Sequence, residues 1–231
     1  MKKRILVLVT LVALFVLGTE AFTDPDFKHF DRTYMQNLEF VIMTMYHEKF
    51  KHLPIAFAPE KVVNPLAQAI SEAGLRQFHC SESEKFAHVT FFFNGGENKP
   101  FEGETDECEP SPRGIPFEQQ PELSLPKVVG RVKNAVNEGY EFIVTNFANG
   151  DVIGHTLSRE AKLKAASVVS SSVSELAEYA KQNGYVVLVT ADHGNIEELY
   201  TAEGKPHGAH TNNQVPFILI DPEGRETVLK D

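Results

Sequence analysis

The sequence predicts an α/β fold, a mostly parallel sheet with helices on both faces, and three observations lead there. Strand-like and helix-like segments alternate from residue 52 onward, the pattern of a parallel sheet covered by its own connections. The run Tyr185-Val186-Val187-Leu188-Val189 is continuously apolar and rich in β-branched residues, as strands buried on both faces are. Polar residues able to carry chemistry follow directly after such runs, as Asp192 and His193 do here. In an open α/β sheet the carboxyl ends of the strands line the crevice where ligands bind.

Composition sets the outer bounds. A chain of 231 residues suffices for one sizeable core and suggests one or two domains. Hydrophobic residues make up 42% and charged residues 23%, which is globular rather than disordered usage. The formal charge of -10 excludes nucleic-acid binding as the main business of the surface, because such domains carry a basic stripe. Cys80 and Cys108 belong to no paired metal motif. Two cysteines make no disulfide framework, although export would allow one Cys80–Cys108 bridge.

Residues 1–21 stand apart. Lys2-Lys3-Arg4 precede an apolar run from Ile5 to Leu17 broken only by Thr10, and Gly18-Thr19-Glu20-Ala21 follow. That is the plan of a secretory signal peptide cut after Ala21. The run is short against the ~20 residues of a membrane span, so an uncleaved anchor is the weaker reading. An artefactual leader on a truncated gene is the third. Residues 22–51 are mixed and aromatic, with a turn or helix start at Thr23-Asp24-Pro25-Asp26 and a strand over 40–45.

From residue 52 the expected elements are a short extended Ile55-Ala56-Phe57, a helix over 64–72 closed by Gly74, and a strand over 88–93 ending at Asn94-Gly95-Gly96. Residues 97–124, rich in Pro, Glu and Gly, read as a long functional excursion. Helical spacing of Val128, Val129, Val132 and Ala135 predicts a helix over 126–137, and 141–145 a strand. A long helix over 158–182 carries the stripe Leu163, Ala166, Val169, Val173, Leu176, Ala177 and Ala180, with Gly184 past its end. The strand over 185–189 follows, then a loop bearing Gly and His, and a last strand over 215–220.

Chemistry collects in three places. Asp151 and His155 stand four residues apart after one strand, a spacing that puts both on one face of a helical turn where one cation accepts both. Asp192 and His193 follow the next strand, and His207-Gly208-Ala209-His210 lie beyond. Carboxylate and imidazole together suit a divalent transition metal such as Mn or Zn. Taken alone, Asp192 fits equally well as the N-cap of a helix at Asn195-Ile196-Glu197-Glu198. Three such clusters at strand ends favour a metal site, with glycines 150, 154, 194 and 208 leaving room for close backbone. His207 by itself reads better as an ordinary histidine.

The motifs Asn146-Phe147-Ala148-Asn149-Gly150-Asp151-Val152-Ile153-Gly154-His155-Thr156, Thr190-Ala191-Asp192-His193-Gly194-Asn195 and His207-Gly208-Ala209-His210-Thr211 resemble the C-terminal metal-binding motifs of the cofactor-independent phosphoglycerate mutases, in the alkaline phosphatase superfamily. The similarity extends to Glu84–Gly96, Pro100–Glu104, Ser111-Pro112-Arg113 and Gln120-Pro121-Glu122, and covers nearly everything after residue 19. It implies an alkaline-phosphatase-like fold, two Mn ions, and interconversion of 3- and 2-phosphoglycerate through a phosphoserine. Asp151, His155 and His210 would hold one ion, Asp192 and His193 would contribute to the other, and Lys85 would contact the transferred phosphate. Without the resemblance, Lys85 is a strand-edge lysine.

Departures shape the expectation as much as matches. The family's N-terminal strand with a further metal-binding Asp and its serine nucleophile have no counterpart in residues 1–50, and its glycerate-binding arginines are missing as well. The expected chain is therefore a sheet truncated on its N-terminal side: leader 1–21, insert remnant and linker 22–51, metal-binding phosphatase-like domain 52–231. One ion would be well bound, and phosphoglycerate would bind once the missing half is supplied. An exported metal-binding remnant without catalysis, and a metal-dependent phosphatase, are the alternatives. Family resemblance implies the cytoplasm, and a genuine leader implies secretion or the periplasm, with membrane contact only during export.

Overall fold

The computed structural model describes residues 4–6, 12–58, 60 and 62–225. Residues 1–3 and 7–11, on which the leader reading mainly rests, lie outside the described residues. Among the described residues no helix is long and apolar enough to cross a membrane. The chain divides into two compact units, Met1–Lys61 and Val62–Asp231.

In the first unit, strand β1 (Arg4–Leu6) precedes helix α1 (Val12–Thr23), and β1 pairs in parallel with β2 (Leu38–Phe40). Asp24 closes the expected turn by accepting the Asp26 amide at 2.8 Å. The strand expected over 40–45 stops at Phe40 and continues only as an isolated bridge from Ile42 to Ile55. Phe40, Ile42 and Phe50 form this unit's core.

The second unit is built on a three-stranded parallel sheet in the order β4 (Glu104–Glu109), β3 (Gln77–Glu82), β5 (Phe142–Asn146). Alternation along β3 decides what each face meets. Phe78 and Cys80 point to one side, where Val128, Val129 and Val132 of helix α4 (Leu125–Asn137) pack on them. Gln77 and His79 point to the other. There Gln77 donates to the Ala67 carbonyl in α2 (Leu66–Glu72), and His79 meets the Phe93 ring just after the short helix α3 (Phe86–Val89). Helices thus cover both faces.

Three sequence expectations are overturned here. Residues 88–93 form no strand: α3 occupies Phe86–Val89, and the three phenylalanines run through turns into Gly95 and Gly96, whose φ of 71° and 91° suits glycine. The excursion over 97–124 contains strand β4, and β3 itself was hidden among polar residues. Cys80 and Cys108 are both free, Cys80 buried and Cys108 exposed. They sit on neighbouring strands, but Cys80 pairs with Glu107 and Cys108 with Ser81, so no bridge joins them.

Beyond β5 come α5 (Asn149–Gly154) and the long helix α6 (Arg159–Gln182), whose N-cap Ser158 accepts the Ala161 amide at 3.2 Å. The buried stripe of α6 runs through Ala161, Ala165, Ser172, Leu176 and Ala177, and Leu163 is exposed, so the helix is rotated from the expected stripe. Its first turns share a core with Leu123, Ala148 and Ile153. The strand expected over 185–189 is β6 (Val187–Val189), and it pairs antiparallel with β7 (Ile218–Ile220) as a two-stranded ribbon. It is not buried on both faces: Leu188 is 59% exposed, and Val186, Phe217 and Ile218 are exposed beside it.

Candidate metal centre

Lys85 follows β3 and Asp151 follows β5, two adjacent parallel strands, so both reach the carboxyl edge of the sheet. Asp151 lies in α5, a helix of one and a half turns fixed from below by Ile153 and Ala148, both fully buried, and by Asn149 donating to the Pro121 carbonyl at 2.8 Å. The four-residue spacing then brings His155, the C-cap of α5, back over Asp151: Nε2 lies 3.0 Å from Asp151 Oδ1. His210 arrives from the loop after residue 200, its Nε2 also 3.0 Å from Oδ1 and 3.2 Å from His155 Nε2.

This donor set fits a divalent ion. Neighbouring donor atoms bound at about 2.1 Å to one octahedral ion stand about 3 Å apart around it. His155 Nδ1 lies 2.9 Å from the Gly208 carbonyl, and a carbonyl can only accept, so Nδ1 carries the proton and Nε2 offers its lone pair to the shared space. Asn195 Nδ2 donates to Asp151 Oδ1 at 3.2 Å and fixes the carboxylate plane. His155 and His210 are half exposed, which leaves solvent access to the open positions.

The second oxygen of Asp151 faces a different group. Lys85 Nζ lies 2.7 Å from Asp151 Oδ2, 2.9 Å from Asp192 Oδ2 and 3.5 Å from His193 Nε2. Burial opposes charge on all three groups. The two carboxylates nevertheless raise the Lys85 ammonium above its ordinary value, and Lys85 holds Asp151 and Asp192 below theirs. His193 stacks on His210 with ring centroids 3.7 Å apart. No helix follows Asp192, so it caps nothing; residues 195–198 form a turn.

All six residues singled out from the sequence, Lys85, Asp151, His155, Asp192, His193 and His210, therefore converge on one place. His207 stands outside: its carbonyl accepts from the buried Lys162 ammonium. Sequence reading missed Asn195, although it closes the motif that holds Asp192 and His193. It also missed Glu197, which accepts the Asn195 amide at 2.6 Å and the Thr211 hydroxyl, tying the two loops together. Gly154 and Gly194 leave room for this: a Cβ on Gly154 would fall within 3 Å of the Asn195 side chain, and one on Gly194 within 3 Å of Thr211.

A parallel sheet flanked by helices, with a carboxylate–imidazole cluster at its carboxyl edge, defines an α/β metalloenzyme scaffold. Residues 28–230 match the Metalloenzyme superfamily, and the chain belongs to it. Over 207 residues it is 45% identical to the 2,3-bisphosphoglycerate-independent phosphoglycerate mutase of Microcystis aeruginosa, covering 89% of this chain and 39% of that protein. To the same enzyme of Thermosynechococcus vestitus it is 42% identical over 209 residues, 90% of this chain and 39% of that one. Its fold is similar to a crystal structure of Leishmania mexicana phosphoglycerate mutase at low cobalt concentration, with a TM-score of 0.69, 30% identity, and coverage of 87% of this chain and 39% of that chain. The fold is alkaline-phosphatase-like, and the chain resembles a C-terminal part of these mutases while spanning about two fifths of their length.

Proposed function

We propose that this chain carries the metal- and phosphate-binding side of a cofactor-independent phosphoglycerate mutase centre, with Mn as its ion. The observation that carries the reading is the convergence of Asp151, His155 and His210 donor atoms at 3.0–3.2 Å, beside a buried lysine. Asp151, His155 and His210 hold one ion. Asp192 and His193 contribute to the position beside Lys85. Nitrogen and carboxylate donors with solvent completing the shell suit Mn²⁺. Such an ion, when bound, supplies a Lewis acid for a phosphoryl oxygen. Lys85 holds a compact ammonium beside the same site, the form of charge that binds phosphate as a point. Its two carboxylate partners keep it protonated and aimed.

The ligand of this reading is a small phosphorylated hydroxy acid, bound in full once the missing half is supplied, not a nucleic acid, and the accompanying location is the cytoplasm. Calorimetric titration tests it. The chain should take up Mn²⁺, and the Mn-loaded chain should then bind inorganic phosphate, with phosphate binding weakened at least tenfold in Lys85→Met. Uptake of Mn²⁺ without any phosphate binding would overturn the phosphate-binding part of the reading and leave a metal-binding protein. No Mn²⁺ uptake, or uptake unchanged by Asp151→Asn, would overturn the metal assignment itself.

A further inference from the structure

On the opposite side of the sheet from α4, the structure assigns a second divalent-cation site, of zinc type, to His79, Glu104 and Asp106. It shares no residue with the Asp151 centre. His79 and Asp106 are directly opposite each other in the β3–β4 register, and Glu104 lies two residues before Asp106, so all three fall on one face. His79 Nδ1 is 3.3 Å from Glu104 Oε1 and 3.7 Å from Asp106 Oδ1. The three donor atoms lie within 4.8 Å of one another. Ligands about 2.1 Å from a tetrahedral ion stand about 3.4 Å apart, close to this spacing.

The tautomer of His79 points to a cation. Gln77 uses its Nε2 to donate to the Ala67 carbonyl at 2.8 Å, so its Oε1 is the atom 3.1 Å from His79 Nε2. Nε2 is therefore the protonated nitrogen, and Nδ1 turns a bare lone pair toward two carboxylates. His79 is fully buried, and its Nδ1 has no hydrogen-bond partner; Asp106 Oδ1 has none either. A lone pair and two carboxylates facing one another in a buried pocket repel unless a positive charge lies between them. A ligating histidine fixed by a side-chain carbonyl on its other nitrogen is the usual outer-shell arrangement of a metal site.

The carboxylates are placed for the same role. Asn94 donates to Glu104 Oε1 at 2.6 Å and the Phe101 amide to Oε2 at 2.8 Å, which fixes the orientation of Glu104. Asp106 is 19% exposed on its side chain, so the cluster lies near the surface, from which water would supply a fourth ligand. Burial first, and the Glu104 charge next, push the Asp106 carboxyl well above its usual range, the behaviour of a carboxylate short of a counter-charge. A histidine nitrogen and carboxylate oxygens at tetrahedral spacing are donors that zinc accepts. The ion would clamp β4 to β3.

Equilibrium dialysis against Zn²⁺ with elemental analysis tests the assignment. In an Asp151→Asn, His210→Gln chain, one zinc per chain should remain, and it should be lost with Asp106→Asn and, separately, with His79→Gln. Asp106→Asn keeps the side chain's size at a partly exposed position, so it remains informative should His79→Gln unfold. The same drop of one zinc should appear when Asp106→Asn is made in the otherwise unaltered chain, and X-ray absorption should show one nitrogen and at least two oxygen donors. A dialysed Asp151→Asn, His210→Gln chain free of zinc would mean a proton, not a metal, bridges the three groups and would overturn the proposal. Zinc retained in both Asp106→Asn and His79→Gln would overturn it equally.

Discussion

Lys85 Nζ and Asp151 Oδ2 lie 2.7 Å apart, while the other oxygen of Asp151 faces His155 and His210 at 3.0 Å. One carboxylate thus divides its two oxygens between an ammonium and an imidazole pair. Lys85→Met would leave Asp151 and Asp192 facing each other without their cation. Lys85 is buried but Asp192 is 38% exposed on its side chain, so solvent screens part of the loss. The expected destabilisation is roughly 1–3 kcal/mol. Urea unfolding in chelator should show it, and added Mn²⁺ should restore part of it.

Gly154 has no room for a side chain, because a Cβ would meet Asn195, which is itself buried and holds Asp151. Gly154→Ala should therefore cost about 1–3 kcal/mol through overpacking and also weaken Mn²⁺ binding. A calorimetric titration with unchanged Mn²⁺ affinity would show that Asn195 does not orient the carboxylate.

The two thiols should differ sharply in reactivity. Cys80 is buried in the core beneath α4, and burial, with the charges of Glu107 and Glu109 adding, pushes its thiol up to about 12. Attack requires a thiolate with access to reagent. A disulfide reagent at mildly alkaline pH should therefore modify Cys108 rapidly and Cys80 only after denaturant is added.

Glu82 provides a pH test in the sheet. It is buried, accepts the Ser124 amide at 3.0 Å through one oxygen and leaves the other without a hydrogen-bond partner. Burial raises its carboxyl above the ordinary value of 4.5. With the folded value raised, the proton is favoured in the folded state, so stability falls as pH rises from about 4.5 through the raised value. Glu82→Gln keeps the acceptor and cannot ionise. The stability of Glu82→Gln relative to the parent should therefore grow across that window, read as urea midpoints below and above it.

The amphipathic and apolar segments were legible in the sequence. Helix α4 followed from the spacing of Val128, Val129, Val132 and Ala135, α6 from its helically spaced apolar residues and Gly184 past its end, and β5 from its apolar run. The Asp151–His155 pair followed from helical geometry, since its partners are local. Strand β3 was not legible: it is buried throughout, yet four of its six residues are polar. Gln77, Ser81 and Glu82 find their partners at Ala67, Asn146 and Ser124, contacts that no pattern along the chain reveals. The run at Phe91–Phe93 misled in the opposite direction. Its β propensity lost to glycine turns and to the stacking of Phe93 on Phe142 at 6.0 Å.

The supports under the metal centre are unequal. Asp151 and His155 rest on α5, which is seated in the core of Leu123, Ala148, Ile153, Ala161 and Ala165. Asp192 and His193 extend from β6, three residues paired with another three in a ribbon with no buried residue. Segments with few buried contacts open locally at a free energy well below that of global unfolding. Amide protons of Val187–Val189 should exchange long before those of α6. An ion or phosphate that engages both halves would slow that exchange, so occupancy of the centre becomes a staple that fastens the ribbon to the rest of the fold.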